Sequence, residues 1–141
     1  MTAPESADTP LAAARTRLLI ADDEPLVRAM LLAQLEAEFE VVAAAADADE
    51  AIAFALEHQP DVAIVDVEMP GGGGLRATRE IRACSPSTAV LVLSSDESDA
   101  GVIAMLEAGA VSYFRKGLAA GELANALSES IDAHAKLAAG R

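Results

Sequence analysis

At 141 residues, 52% apolar but only 3% aromatic and without tryptophan, the chain has room for one domain whose core must be built from Ala, Val, Leu and Ile. A formal net charge of -13 would be repelled by a phosphate backbone, which argues against direct binding of DNA or RNA. The lone Cys84 excludes an internal disulfide and a thiolate zinc cluster and points to the cytoplasm.

Residues 1–16 (MTAPESADTPLAAART) are rich in Ala, Pro, Thr and Ser and carry no apolar run of signal-peptide length, so they read as a disordered leader. No apolar stretch approaches the ~18 residues a membrane helix needs, so a soluble chain is expected. Arg17–Ala21 is the first short apolar run and reads as a strand. Pro25 then suits the first turn of a helix with Val27, Met30, Leu31 and Leu35 on one side. A second run, Val41–Ala45, precedes Asp47 and Glu50, spaced as a capping box for a helix carrying Ile52, Ala55 and Leu56. The third run is Val62–Val65, and a short helix after Gly74 would turn Leu75, Thr78 and Ile81 inward. The fourth is Ala89–Leu93, after which Ser98 or Asp99 could cap a helix with Val102, Ile103 and Leu106, stopped by Gly109. Val111–Phe114 is the fifth, and a closing helix over 120–138 has Leu123, Leu127, Ile131 and Leu137 along its seam.

Runs this short and this continuously apolar suit strands buried on both faces of a parallel sheet. Their strict alternation with helices predicts an α/β fold, a single doubly wound five-stranded parallel sheet with five helices, over residues 17–138, with 139–141 as a tail. In such sheets the ligand site lies beyond the carboxyl ends of the strands. Those ends offer Asp22, Asp23 and Glu24; Asp47; Asp66, Val67, Glu68, Met69 and Pro70; Ser94, Ser95 and Asp96; and Lys116. If the first and third strands are neighbours, Asp22, Asp23 and Asp66 converge. Three like charges at close range require a raised pKa or a bound cation. All-oxygen ligands without His or Cys favour Mg²⁺ over zinc. Helix capping could account for Asp22 and Asp23, but not for an Asp66 that ends an otherwise apolar strand.

The segments LLIADDE, IVDVEMPGGGGL, VLVLSSD and GAVSYFRKG together resemble the receiver domains of two-component response regulators, over about residues 17–138. The resemblance implies a flavodoxin-like sheet of strand order 2-1-3-4-5 with Asp66 as phosphoacceptor. It implies Mg²⁺ held by Asp23, Asp66 and the backbone carbonyl of Glu68, with Asp22 acting mainly through coordinated water. Ser94 and Lys116 would hold the phosphoryl oxygens. Ser94 and Tyr113 would serve as switch residues on a face built from the fourth helix, fifth strand and fifth helix. A histidine kinase or phosphotransfer protein would donate the group, an output domain or protein partner would receive the signal, and a homodimer is possible. The chemistry agrees: a carboxylate can attack phosphorus to give an acyl phosphate, with the charge of the transferring group spread over cation, ammonium and hydroxyl.

Gly71–Gly74, four glycines in a row, reads as a flexible loop and not a phosphate-binding loop, because no Lys-Ser/Thr follows it. Gly117 follows Lys116 where many receivers carry proline. Glu68 and Asp96 are expected at the pocket rim, where their charge would slow phosphorylation by small anionic donors. One rival reading is a phosphatase of the haloacid dehalogenase class, but that class places a second Asp two positions after its nucleophile, where this chain has Glu68. Another is a degenerate receiver that binds partners without phosphate, against which the complete set Asp22, Asp23, Asp66, Ser94 and Lys116 argues.

Overall fold

The computed structural model describes residues 15–95 and 100–139. Strand and helix alternate throughout: β1 (Arg17–Ala21), α1 (Pro25–Leu35), β2 (Glu40–Ala45), α2 (Ala48–His58), β3 (Val62–Asp66), α3 (Gly73–Cys84), β4 (Ala89–Ser94), α4 (Ala100–Glu107), β5 (Ser112–Arg115) and α5 (Ala120–Ala139). All pairings are parallel and the order is β2-β1-β3-β4-β5, the flavodoxin-like arrangement. Among the described residues no helix is long and apolar enough to cross a membrane.

The local signals act as expected. Pro25 opens α1. Asp47 caps α2 by accepting from the Glu50 amide at 2.8 Å, and the Glu50 carboxylate in turn accepts from the Ala46 amide at 2.8 Å. The expected leader falls on residues outside the described set except for its last two, and these are tied down. Thr16 accepts from the Glu40 amide at 2.9 Å, and the Arg15 guanidinium donates to the carbonyls of Glu36 and Ala37. The expected caps Ser98 and Asp99 also lie outside the described residues.

The two faces of the sheet are unequal. Leu18, Ile20, Val62, Ile64, Leu91 and Leu93 pack with Leu31 and Leu35 of α1 and Leu123 and Leu127 of α5. Leu19, Ala21, Ala63, Val65, Val90 and Val92 meet mostly small residues, among them Ala48, Ala51 and Ala55 of α2 and Ala77 of α3. The expected seam of α2 is therefore rotated: Ala48, Ala51 and Ala55 are fully buried, Ile52 is only partly so, and Leu56 is 60% exposed. Alanine gives little hydropathy contrast, so its periodicity is hidden in sequence, yet it lets a helix lie close on the sheet. In α4 the inward residues are Val102 and Met105, with Ile103 exposed, and Leu137 near the end of α5 is exposed as well.

Gly74, in the first turn of α3, sits against the strand end that carries Asp66. A Cβ there would collide with the Asp66 carbonyl oxygen and with the Met105 thioether. The obstacle on one side is backbone, so relief would require shifting α3 away from β3. Gly74→Ala should destabilise the fold by about 1–3 kcal/mol, read as a lowered urea midpoint at unchanged slope. A wild-type midpoint would show that α3 is not packed this closely.

Candidate functional site

Side chains alternate between the faces of a strand, and this period assembles the site. Ile20 lies opposite Ile64 in adjacent strands, both on the face covered by α1 and α5. Two residues further along each strand come Asp22 and Asp66, on that same side. Phe114 of β5 also belongs to this face, and two residues beyond it comes Lys116. The Lys116 ammonium accordingly lies 2.9 Å from Asp22 Oδ2 and 3.2 Å from Asp66 Oδ2. It also meets the exposed Glu24 at 3.2 Å. The Lys116 amide is anchored by donating to the Ser94 carbonyl at 2.8 Å.

Asp22 is fully buried and Asp66 is 4% exposed, whereas Asp23 stands in solvent. Asp22 Oδ1 accepts from the Glu24 amide at 2.9 Å. The other oxygen, Oδ2, is buried without a well-oriented hydrogen bond among the described residues and has only the Lys116 charge beside it. Carboxylate oxygens of Asp22, Asp23 and Asp66 all lie within 4.8 Å of one another. Opposed ligands at the Mg²⁺ distance of ~2.1 Å span about 4.2 Å, so small side-chain movements would close the three onto one ion. An under-satisfied buried oxygen in an all-oxygen donor set, with more negative charge than one lysine can neutralise, fits a hard divalent cation.

Burial, reinforced by the charge of Asp22, pushes the Asp66 carboxyl up to about 6 against the opposing pull of Lys116. Burial by itself would lower the Lys116 ammonium. Its close ion pair with Asp22 and the charge of Asp66 prevail, so it is held above the usual lysine range and stays protonated.

A cleft of about 310 Å³ opens over these groups, lined by Asp23, Glu24, Asp66, Val67, Glu68, Ser95 and Lys116. Glu68 is exposed among the lining residues, while Asp96 lies outside the described residues. Ser94 is 1% exposed and follows the phase of Val90 and Val92, toward the opposite face, so the serine lining the cleft is Ser95. Glu24 is among the residues expected at the strand ends, but its reach to Lys116 depends on where α1 begins. Tyr113 is 41% exposed on β5. Cys84 is half-buried against the α2–α3 core, and the Lys116–Gly117 peptide is trans.

The family model of the response regulator receiver domain matches residues 18–128. The chain is similar to the transcriptional regulatory protein LiaR of Bacillus subtilis (strain 168), 37% identical over 123 residues that make up 86% of this chain and 58% of the relative. Among solved structures it is similar to a LuxR-family two-component response regulator from Aurantimonas sp. SI85-9A1, with TM-score 0.75 and 33% identity over 84% of this chain and 86% of that one. It is also similar to the signal receiver domain of NarL from Mycobacterium tuberculosis, with TM-score 0.78 and 29% identity over 84% and 97%. The chain spans about half the length of the curated relatives it matches.

The electrostatics carry a pH signature. The folded-state pKa of Asp66 is raised above its ordinary 3.8, so without metal its contribution is fully present below about pH 4 and lost as pH rises through about 6. In EDTA, Asp66→Asn should therefore gain stability relative to wild type across that window, reaching on the order of 1 kcal/mol at pH 7 once solvent screening is allowed for. Urea midpoints at pH 4 to 8 test this. A wild-type to variant difference that stays flat with pH would mean that Asp66 is not strained by its neighbours.

Proposed function

The chain belongs to the response regulator receiver domain family, and we propose that Asp66 is its phosphoacceptor, charged by a histidine kinase or a phosphotransfer protein. The observation that carries this is a nearly buried carboxylate at the end of β3, 3.2 Å from a lysine ammonium and opening into an acidic cleft. Family membership sets aside the haloacid dehalogenase reading, and the assembled pocket speaks against a degenerate receiver.

Asp22, Asp23, Asp66 and the backbone carbonyl of Glu68 would hold Mg²⁺, which supplies positive charge for the phosphoryl oxygens. The chain's own residues do the rest. An Asp66 oxygen attacks phosphorus; the new O–P bond forms as the N–P bond of the donor phosphohistidine breaks, and the electron pair leaves with the imidazole nitrogen. Lys116, fixed by Asp22 and by its own backbone bond to Ser94, presents the ammonium to a phosphoryl oxygen. Ser94 would supply a hydroxyl to another oxygen. Its phase, away from the cleft, suits a switch residue whose rearrangement reports phosphorylation. Tyr113, exposed on the neighbouring strand, would rearrange with it and alter the surface of α4, β5 and α5. LiaR is named as a transcriptional regulator, so an output domain for transcription is the proposed receiver of the signal.

Two measurements test the reading. Mg²⁺ should raise the melting temperature by relieving carboxylate repulsion, and Asp23→Ala should lose most of that gain; an undiminished response in the variant would place the ion elsewhere. Acetyl phosphate with Mg²⁺ should add one phosphoryl group that is labile to alkali and hydroxylamine. Asp66→Asn should abolish labelling and Lys116→Ala should slow it by about 10²-fold. Ser94→Ala should impair it more than Ser95→Ala. A hydroxylamine-resistant label, or one that survives in Asp66→Asn, would sink the assignment.

A further inference from the structure

The segment after the acceptor passes through Gly71 and Gly72 into Gly73, the first residue of α3, all three at positive φ (87°, 107° and 77°). Glycines lose more backbone freedom on ordering than any other residue, so a loop like this needs external restraint. Two backbone bonds hold its flanks: the Ala48 amide donates to the Pro70 carbonyl at 3.0 Å, and the Gly74 amide to the Val67 carbonyl at 2.8 Å. A third restraint comes from a side chain. Arg76, in the first turn of α3, folds back so that its NH1 donates to the Gly71 carbonyl at 2.7 Å and to Asp49 Oδ1 at 2.6 Å. Its stem fills the space Gly72 leaves open, for a Cβ on Gly72 would lie 2.7 Å from Arg76 Cδ. The sequence suggests a flexible loop; the structure shows one latched to the start of α2.

We propose that Arg76 is a positioning residue that, with Asp49, latches the acceptor loop over residues 67–73 to α2 and so sets the Glu68 backbone carbonyl where a divalent cation can use it. Glu68 lies within the latched span, between Val67 and Pro70, whose carbonyls accept the two backbone bonds. The latch is a local device, not a global prop. Its charged groups are 44% and 72% exposed, and exposed pairs of this kind add little to overall stability. Its effect is confined to a segment whose own backbone resists ordering. A single guanidinium nitrogen serves both acceptors, a pairing that an ammonium could make in part from its shorter side chain.

The proposal rests on the cation reading above, and the experiment separates the two. Amide exchange of the peptide spanning 67–75 is followed in EDTA, and Mg²⁺ affinity by titration of the melting temperature, for wild type, Arg76→Ala, Arg76→Lys, Asp49→Asn and Asp23→Ala. In Arg76→Ala the loop amides should exchange about tenfold faster and the Mg²⁺ dissociation constant rise by about three- to tenfold, with the EDTA melting temperature within ~2 °C of wild type. Asp49→Asn should move both readouts the same way, and Arg76→Lys should recover part of each. Loop exchange and Mg²⁺ affinity at wild-type levels in Arg76→Ala would overturn the latch. So would faster exchange throughout the molecule with a large fall in melting temperature, which would mark Arg76 as merely structural. A wild type with no Mg²⁺ response, or one indifferent to Asp23→Ala, would overturn the cation reading instead, with the EDTA exchange comparison still deciding whether Arg76 holds the loop.

Discussion

The Lys116 ammonium, lodged between Asp22 and Asp66 at 2.9 and 3.2 Å, is the interaction on which the site depends. Two carboxylates buried on adjacent strands would otherwise repel each other in a medium that screens them poorly. Lysine removes part of that cost and leaves part of it. The residue is visible in Asp66, which still titrates near 6, and in an Asp22 oxygen without a well-oriented hydrogen bond among the described residues. A fully neutralised pocket would have no use for a cation. This one is held short of neutrality, in a pocket that hydrophobic packing below keeps from relaxing.

That packing explains how the strain is sustained. Leucine, isoleucine and valine side chains of β1, β3 and β4 fill the α1–α5 face beneath the carboxylates, and all are essentially inaccessible to solvent. The opposite face is shallower, with alanines bringing α2 and α3 close to the sheet. Close seating has a consequence at the top of the molecule: α3 starts directly beside the Asp66 carbonyl, where only glycine fits, and the acceptor loop is pinned between α2 and α3. Core composition on one face thus governs loop geometry at the site.

Much of this is legible in the sequence. The five strands and five helices were visible because the strands are short apolar blocks and the helices carry caps or breakers at their ends. Asp22, Asp23, Asp66 and Lys116 were visible because each follows an apolar run directly, and in a parallel sheet all such ends meet on one edge. The seam of α2 was misread because alanine contributes little to a hydropathy pattern. The contacts of Glu24 and Arg76 are not legible in the sequence for a different reason. Each acts through a long side chain reaching a residue distant in sequence, Lys116 in one case and Asp49 in the other.

The sequence by itself determined the alternation of elements, the parallel sheet and the identity of the charged residues at its carboxyl edge, because these follow from local apolar blocks and their punctuation. Only the tertiary structure decided which neighbours share a face, and hence that Ser95 lines the cleft while Ser94 is buried at the end of β4. It also decided that a run of glycines is held by an arginine. Strand phase relative to the core and contacts between side chains far apart in the chain are set by packing, and packing is a property of the assembled sheet and helices, not of any segment within them.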